Sequence, residues 1–318
     1  MEPMIKWYEV HGWIWIVNYI LILIFMLVNV AFLTLLERKV LSYIQIRKGP
    51  NKVGFWGILQ PMADVVKLFT KERIYLIRRN YTIYFFRPII RIIVAIIMWV
   101  IIPLKEKIIF ISWSWIFLLS VFRVRVYPVL IMGWSRNRKY SFLGAVRGVA
   151  QIISYEIVFS LLVFLVLLMR QGGMETSSVM KVNEYFRILV IFPFIYFLWL
   201  FRCIMESNRS PFDFAEGESE LVSGFNTEYS SGGFAVVFMA EYLRILFLRM
   251  IRAVLINRER GLVFFFCIWV NRFIWIWLRG TFPRHRYDLV IYMTWKSILP
   301  FVGNFTLFFL LLMLTLYF

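Results

Sequence analysis

Acidic residues are concentrated in one short stretch of the chain. Seven of the 18 fall between positions 206 and 241, in a segment that also holds Pro211, several glycines and aromatic residues. Such a composition is typical of a structured loop. Closely spaced carboxylates change one another's proton affinity, which suits proton uptake and release. A solvated acidic loop is the alternative, but the many arginines in the neighbouring loops favour ion pairing. The seven residues are Glu206, Asp213, Glu216, Glu218, Glu220, Glu228 and Glu241.

Three carboxylates lie within or at the edge of long apolar stretches. Glu156 and Glu241 fall inside such stretches, and Glu37 follows another. A charge in hydrocarbon costs at least ~2.5 kcal/mol, so residues of this kind usually face a polar cavity or pair with another charge. They are therefore candidates for a proton path. Glu37 has a second interpretation, as an interfacial charge paired with the adjacent Arg38 or Lys39.

Two tyrosines and one histidine lie beside charged residues. Tyr155 precedes Glu156 and Tyr242 follows Glu241, but adjacent residues point to different faces of a helix. A structural role is the preferred interpretation for both tyrosines, and a hydrogen bond to a carboxylate or another carbonyl is the alternative. His285 lies between two arginines and is interpreted as a cationic loop residue.

The sequence lacks the ligand clusters that bind metals and redox groups. Cys203 and Cys267 lie in different apolar segments, and His11 and His285 are far apart. Haem, iron–sulfur and structural zinc sites need more ligands than these. No nucleophilic serine motif, phosphate-binding loop or dinucleotide fingerprint is present either. Any redox groups with which the chain works are therefore expected on other chains.

The elements that must position these residues are membrane helices. The 318 residues are 61% hydrophobic and 17% charged, with a mean hydropathy of +0.75, whereas soluble domains are about half apolar. The apolar stretches are continuous, which excludes the alternating pattern of a β-barrel. We predict an all-α polytopic membrane protein with one integral membrane domain over residues 1–318. Its eight transmembrane helices are predicted at about 13–36, 83–103, 108–132, 149–169, 185–205, 234–256, 261–278 and 298–317.

Two further elements connect the predicted spans. Apolar residues recur every three or four positions from Phe55 to Phe69, with Asp64 on the polar side, which predicts an amphipathic helix at about 54–71 in the membrane interface. A plain membrane anchor is the role that this pattern alone favours. The acidic residues fall in a predicted structured loop at 206–233, between the fifth and sixth spans.

Lysine and arginine are biased to one side of the membrane. The loops after helices one, three, five and seven hold most of them. Such loops remain in the negatively charged compartment, which is the mitochondrial matrix or the bacterial cytoplasm. With eight spans, both termini lie on one side of the membrane.

Four segments resemble a known family. They are LLERKVLSYIQIRKGPNKVGFWGILQPMADVVKLFTKE at 35–72, ISYE at 153–156, ESNRSPFDFAEGESELVSGFNTEYSSGGFAVVFMAEY at 206–242 and RGTFPRHRYD at 279–288. Over nearly its whole length the chain resembles the family of subunit 1 of mitochondrial NADH-ubiquinone oxidoreductase, in the membrane arm of respiratory complex I. The two long segments are diagnostic of that family.

The resemblance implies a core subunit of a proton-pumping NADH:ubiquinone reductase in the mitochondrial inner membrane. Loops 1, 3, 5 and 7 would face the matrix. Ubiquinone is implied as the substrate, with flavin and iron–sulfur clusters on partner subunits. The implied partners are the hydrophilic quinone-site subunits, the neighbouring membrane-arm subunits and phospholipid, cardiolipin in particular, but not nucleic acid.

The resemblance also implies roles for individual residues, around the mouth of a quinone tunnel and along a charged path that links quinone reduction to proton translocation. The implied proton-path and coupling residues are Glu37, Asp64, Glu156, Glu206, Asp213, Glu216, Glu218, Glu220, Glu228 and Glu241. The implied quinone-binding residues are Arg38, Arg47, Phe55, Leu59, Met62, Phe225 and Arg284. The implied supporting cations are Lys48, Arg209, Arg279 and Arg286.

The net charge of +18 is high for that family, whose members usually carry serine or another small residue at many of the positions concerned. Arginines inside spans, without enough acids nearby to pair them, are costly. Snorkelling toward lipid headgroups is one interpretation. The preferred hypothesis is that AGA and AGG codons, which specify serine in some mitochondria, are rendered here as arginine. The positions are Arg87, Arg91, Arg123, Arg136, Arg138, Arg202, Arg244, Arg249 and Arg272.

Two other functions stay open. An ion-translocating or anchor subunit of a hydrogenase-like membrane complex would keep the acidic path without a quinone mouth. An autonomous secondary transporter is disfavoured because the sequence has no internal repeat and no inverted pair of broken helices. Quinone dependence of the purified assembly separates the first alternative from the complex I interpretation, and activity of the isolated chain separates the second.

Overall fold

The computed structural model describes residues 2–72, 80–101, 111–170, 175–176, 193–214, 217, 231–256 and 262–317. Every regular element in these ranges is helical, which confirms the all-α prediction for them. The helices are α1 (Glu2–Ile44), α2 (Gln60–Thr70), α3 (Tyr81–Met98), α4 (Ser114–Val124), α5 (Val126–Trp134), α6 (Lys139–Arg170), α7 (Pro193–Glu206), α8 (Ser231–Ile256), α9 (Leu262–Thr281), α10 (Tyr287–Tyr292) and α11 (Leu299–Tyr317). Short 3₁₀ helices at Phe55–Gly57 and Trp99–Ile101 and a π-helix at Met293–Ile298 complete the set.

Five helical stretches of the described chain are long and apolar enough to cross a membrane. They are Val17–Ile44, Thr82–Ile101, Ser114–Trp134, Lys139–Met169 and Tyr287–Thr315. Twenty helical residues extend about 30 Å, the thickness of the hydrocarbon core. These stretches correspond to the first four predicted spans and the last one. The fourth and the last begin well before the predicted positions 149 and 298, because the helix continues through polar residues that end an apolar window.

The fifth, sixth and seventh predicted spans coincide with α7, α8 and α9, which are not among those five stretches. α7 is described over only 14 residues, too few to cross a bilayer. Four charged residues interrupt α8, namely Glu241, Arg244, Arg249 and Arg252. The count of eight transmembrane helices therefore stays a prediction. Much of the predicted acidic loop at 206–233 lies outside the described residues.

The amphipathic helix predicted at 54–71 is divided in the structure. Gly54 and Gly57 have φ angles of 72° and 74°, which glycine adopts without strain, so residues 55–57 form a separate 3₁₀ turn. The helix itself begins at Gln60, with Pro61 in its first turn, where no backbone N–H is needed. α2 is thus shorter than predicted.

The central helix of the described fold is α8, whose side chains are mostly buried. It packs against α1, α2, α3, α7 and α9. Its Phe247 contacts Trp99 and Phe122, with ring centroids 5.6 and 6.5 Å apart, and such aromatic contacts fix the spacing between helices. α8 therefore places its charged residues between several neighbouring helices.

Candidate functional site

Glu241 of α8 lies in the interior between two arginines. Its Oε1 is 2.6 Å from Nη2 of Arg91 on α3, and its Oε2 is 3.2 Å from Nη2 of Arg209. The side chain of Glu241 is 4% exposed, so solvent and salt screen these charges little. The Arg209 guanidinium also lies over the Phe238 ring, with Cζ 5.1 Å from the centroid, a favourable cation–π distance. Contacts from two sides therefore hold the carboxylate.

Glu37, near the end of α1, forms a second centre. The Tyr242 hydroxyl donates a hydrogen bond of 2.7 Å to Glu37 Oε2, and Arg279 of α9 forms an ion pair with Oε1. Glu37 is buried. The carboxylate thus lies in the interior. The alternative interpretation, an interfacial charge paired with Arg38 or Lys39, is wrong.

Glu206, the last residue of α7, forms a third centre. It makes ion pairs with Arg125, between α4 and α5, and with Arg202, one helical turn earlier, at 3.1 Å. Its side chain is 1% exposed. Glu156 of α6 is paired less closely, because its Oε1 is 3.5 Å from Nε of Arg123, whose side chain is mostly exposed. The Glu156 ion pair is thus the longest of those that these four carboxylates form.

Residues 207–214, here called the post-α7 segment, extend from these centres toward the acidic loop. Gln151 of α6 donates a hydrogen bond of 3.0 Å to the carbonyl oxygen of Phe212. The backbone N–H of His285 donates a hydrogen bond of 3.1 Å to the carbonyl oxygen of Pro211. The His285 imidazole stacks on the Phe212 ring, with centroids 5.6 Å apart. His285 therefore fixes the post-α7 segment, a role that its place between two arginines does not predict.

The edge of this charged interior is formed by α2. Asp64 forms an ion pair with Arg38 of α1 and accepts a hydrogen bond of 3.1 Å from Gln60 Nε2. Both members of the ion pair are partly exposed. The exposed apolar side chains of this region are Phe55, Trp56, Ile58, Leu59, Met62, Val66 and Phe69. An apolar surface and a solvated ion pair thus lie side by side.

Comparison with known proteins gives a consistent result. The family model for NADH dehydrogenase matches residues 17–312. NADH-ubiquinone oxidoreductase chain 1 of Aedes aegypti is 46% identical over 298 residues, which cover 93% of this chain and 95% of that relative. The proteins of the same name from Anopheles gambiae and Locusta migratoria are 48% and 44% identical, over 92% and 93% of this chain and 94% of each relative.

The chain belongs to the NADH dehydrogenase family. The match confirms the resemblance carried by the segments at 35–72 and 206–242, and it extends over the intervening helices as well. The implied site residues that fall within the described part of the chain can therefore be placed one by one in the structure.

Three of the cations implied for an NADH dehydrogenase subunit do not contact the interior carboxylates. Arg47 and Lys48 are exposed after α1, and neither pairs with an acid of the described residues. Arg286 forms an ion pair of 3.2 Å with Asp288 on the surface. These three cations thus lie apart from the interior centres.

The acidic loop is described only in part. Asp213 is half-buried in the post-α7 segment. A Cβ atom at Gly217 would be 2.7 Å from Cζ of Arg284, so the close approach of this guanidinium to the loop depends on glycine. The other predicted loop residues lie outside the described residues, and they are Glu216, Glu218, Glu220, Phe225 and Glu228.

The structure corrects the expectation that arginines within the spans lack acids nearby. Arg91 pairs with Glu241, and Arg202 pairs with Glu206. Sequence reasoning also misses Arg125, the second partner of Glu206. Arg125 could be found from the sequence, because it is a charge inside a predicted span, and the same property singles out the carboxylates.

Two other arginines have different surroundings. Arg87 donates a hydrogen bond of 2.6 Å to the carbonyl oxygen of Met132. All three guanidinium nitrogens of Arg249 are buried without a hydrogen-bond partner among the described residues, although its Cζ lies 4.6 Å from the centroid of the Trp275 ring. The proposal that serine occupies such positions is therefore best supported at 249.

The described residues contain no group of three His, Cys, Asp or Glu side chains that could hold a metal ion. Cys203 is buried and not part of a disulfide. The location of flavin and iron–sulfur clusters on partner subunits stays a prediction.

Proposed function

We propose that the chain is a core membrane subunit of proton-pumping NADH:ubiquinone oxidoreductase, respiratory complex I, and acts as part of that enzyme. Relatives with the name NADH-ubiquinone oxidoreductase chain 1 match it over more than nine-tenths of its length. The observation that carries the functional part of the proposal is the set of three buried carboxylates, Glu37, Glu206 and Glu241, each held by at least one arginine. Buried charges of this kind are typical of ion and proton paths.

Ubiquinone would enter from the bilayer at the α2 edge. The substrate combines an apolar tail with a polar headgroup, and this edge combines exposed apolar side chains, Phe55, Leu59 and Met62 among them, with the Arg38–Asp64 ion pair. A mostly apolar surface with a few polar groups is what an amphipathic ligand needs. The other quinone contacts that we propose are Arg47, Phe225 and Arg284.

The buried carboxylates would link quinone reduction to proton translocation. Reduction of a quinone to a quinol takes up two electrons and two protons, so charge appears near the headgroup before the protons arrive. A new charge changes the proton affinity of nearby carboxylates, and it acts over a longer distance in an interior that water screens poorly. The proposed path uses Glu37, Asp64, Glu156, Glu206, Asp213 and Glu241, together with the loop acids Glu216, Glu218, Glu220 and Glu228.

The proposed location is the mitochondrial inner membrane, with the basic loops 1, 3, 5 and 7 in the matrix. Partner subunits would carry the flavin and the iron–sulfur clusters and would deliver electrons to the quinone. Phospholipid, cardiolipin in particular, would bind at cations such as Lys48, which is exposed close to the exposed apolar side chain of Ile46. Basic residues next to apolar surface attract anionic headgroups.

The test of the proposed function is an activity measurement on the native assembly. The membrane is extracted in mild detergent, the assembly containing this chain is isolated, and NADH oxidation is measured with and without ubiquinone and a quinone-site inhibitor. We expect turnover in a large complex that depends on quinone and stops with the inhibitor. A chain that migrates alone, or an assembly indifferent to quinone, would contradict the proposal.

A further inference from the structure

The Glu37 and Glu241 centres are joined by Tyr242. The Tyr242 hydroxyl donates to Glu37 Oε2 at 2.7 Å, and Cζ of Arg209 lies 5.4 Å from the centroid of the Tyr242 ring. Arg209 in turn binds Glu241. Glu37, Tyr242, Arg209 and Glu241 are all buried. The contacts therefore form a continuous chain between the two carboxylates through groups that water barely reaches.

The geometry of α8 explains why a link is needed. Successive residues of an α-helix point about 100° apart, so the helix directs Glu241 toward Arg91 of α3 and the next residue toward Glu37 of α1. The two carboxylates lie in different interhelical contacts. Tyr242 is the side chain that reaches from one contact to the other.

The post-α7 segment holds Arg209 in its place beside Tyr242. Arg209 binds Glu241, and the hydroxyl of the next residue, Ser210, accepts a hydrogen bond of 3.3 Å from Arg279 Nε. Arg279 is the cation paired with Glu37. Two adjacent residues of one segment thus connect to the two carboxylates, which keeps Arg209 in place against the Tyr242 ring.

We propose that Tyr242 is a positioning residue that couples Glu37 to Glu241, so that protonation of one carboxylate changes the proton affinity of the other. The inference rests on the proposed role of these carboxylates in proton translocation. It replaces the structural role that the sequence favours for this tyrosine. Hydrogen bonds and charges polarise one another along a buried chain, whereas a tyrosine that only fills space would leave the two carboxylates independent.

The test is a double-mutant cycle in the assembled complex. Glu37→Gln and Glu241→Gln are made singly and together, with and without Tyr242→Phe, and proton translocation per quinone reduced is measured. Tyr242→Phe removes the hydroxyl and keeps the ring under Arg209. When Tyr242 is intact, we expect the effect of the two Gln substitutions together to differ by about tenfold from the product of their single effects. This is within the range for directly coupled residues. After Tyr242→Phe their effects should multiply.

Tyr155→Phe is the matched control. Tyr155 is a tyrosine that is 2% exposed and whose hydroxyl has no hydrogen-bond partner among the described residues. When Tyr155→Phe is present, the combined effect of the two Gln substitutions should still differ from the product of their single effects. Infrared difference spectra on quinone reduction add a signature that a structural role would not move. The carboxyl band of Glu37 is identified as the band that Glu37→Gln abolishes. Glu241→Gln should shift this band when Tyr242 is intact, and it should not shift the band when Tyr242→Phe is also present.

Each outcome decides the inference. Multiplicative effects with Tyr242 intact, or a deviation that survives Tyr242→Phe, would overturn it and leave the proposed function standing. Should Tyr242→Phe fail to assemble, the absence of a Glu37 band shift in Glu241→Gln would overturn it as well. Normal proton translocation in the Glu37→Gln, Glu241→Gln double variant would instead contradict the proposed function.

Discussion

The interior carboxylate centres and the α2 edge contain the same kind of ion pair in different surroundings. The side chains of Arg209 and Glu241 are 10% and 4% exposed, whereas those of Arg38 and Asp64 are 54% and 32% exposed. An exposed pair is screened by water and salt and contributes about 0–1 kcal/mol. Removing one member of a buried pair costs about 3–5 kcal/mol, because it leaves a charge unpaired. The interior pairs thus control both stability and the response to charge, while the edge is suited to contact with a ligand.

The largest effect is expected from loss of the acid at Glu206. Glu206→Leu leaves the buried Arg125 and Arg202 without an acceptor, and a cost of about 3–5 kcal/mol is a large part of the stability of most proteins. We expect most of the chain to be missing from the assembled complex on native gels.

Glu206→Gln is the matched control, since it keeps one carbonyl acceptor and should retain more of the complex. Asp288→Asn removes the acid of an exposed pair and should change nothing. Equal amounts of complex in all three variants would remove the distinction between interior and surface pairs.

A smaller effect is expected where the post-α7 segment is anchored to α6. Gln151→Leu removes the side-chain donor to the carbonyl oxygen of Phe212, which keeps only the hydrogen bond from the backbone N–H of Phe214. The loss of one hydrogen bond costs about 0.5–1.5 kcal/mol. Hydrogen exchange of the amides at 207–214 should accelerate by up to about tenfold. Ser160→Ala, which removes an exposed hydroxyl, should leave the exchange unchanged. Unaltered exchange in Gln151→Leu would show that other contacts hold the segment.

At the α2 edge, Asp64→Asn should have a modest effect. The pair with Arg38 is partly exposed, so its loss should lower quinone reduction by less than about fivefold and leave assembly intact. The difference from the unchanged chain should shrink as salt is raised, because salt screens exposed charges. A loss of assembly as large as that of Glu206→Leu would show that this pair belongs with the interior centres.

The smallest effect on activity is expected from the choice between serine and arginine at residue 249. Since the side chain of Arg249 has no hydrogen-bond partner among the described residues, we expect serine at this position in the native protein. Peptide masses after trypsin digestion would show no cleavage at 249, and cleavage at Arg279 serves as the control. Cleavage at 249 would make the hypothesis wrong. The same digestion tests positions 91 and 244, and serine at 91 would leave Arg209 as the partner of Glu241. Position 87 is read from the mass of the peptide that contains it, because trypsin does not cleave the bond before Pro88.

The membrane helices and the acids within them could be predicted because both depend on local properties. A continuous apolar stretch and the cost of a charge in hydrocarbon can be seen in a single window of sequence. The partners of those acids could not be found in this way, since Arg91 and Glu241 are 150 residues apart. Nor does hydrophobic periodicity show the positive φ of Gly57, which divides the helix predicted at 54–71.

Proton translocation in the Glu241→Gln complex tests the central claim most directly. The native and variant complexes are reconstituted into vesicles, normalised to the amount of assembled enzyme, and proton uptake and quinone reduction are recorded together. If Glu241 connects the two processes, the variant reduces quinone but moves fewer protons for each quinone reduced. An unchanged ratio of protons to quinone in Glu241→Gln would contradict the claim that this buried carboxylate takes part in coupling.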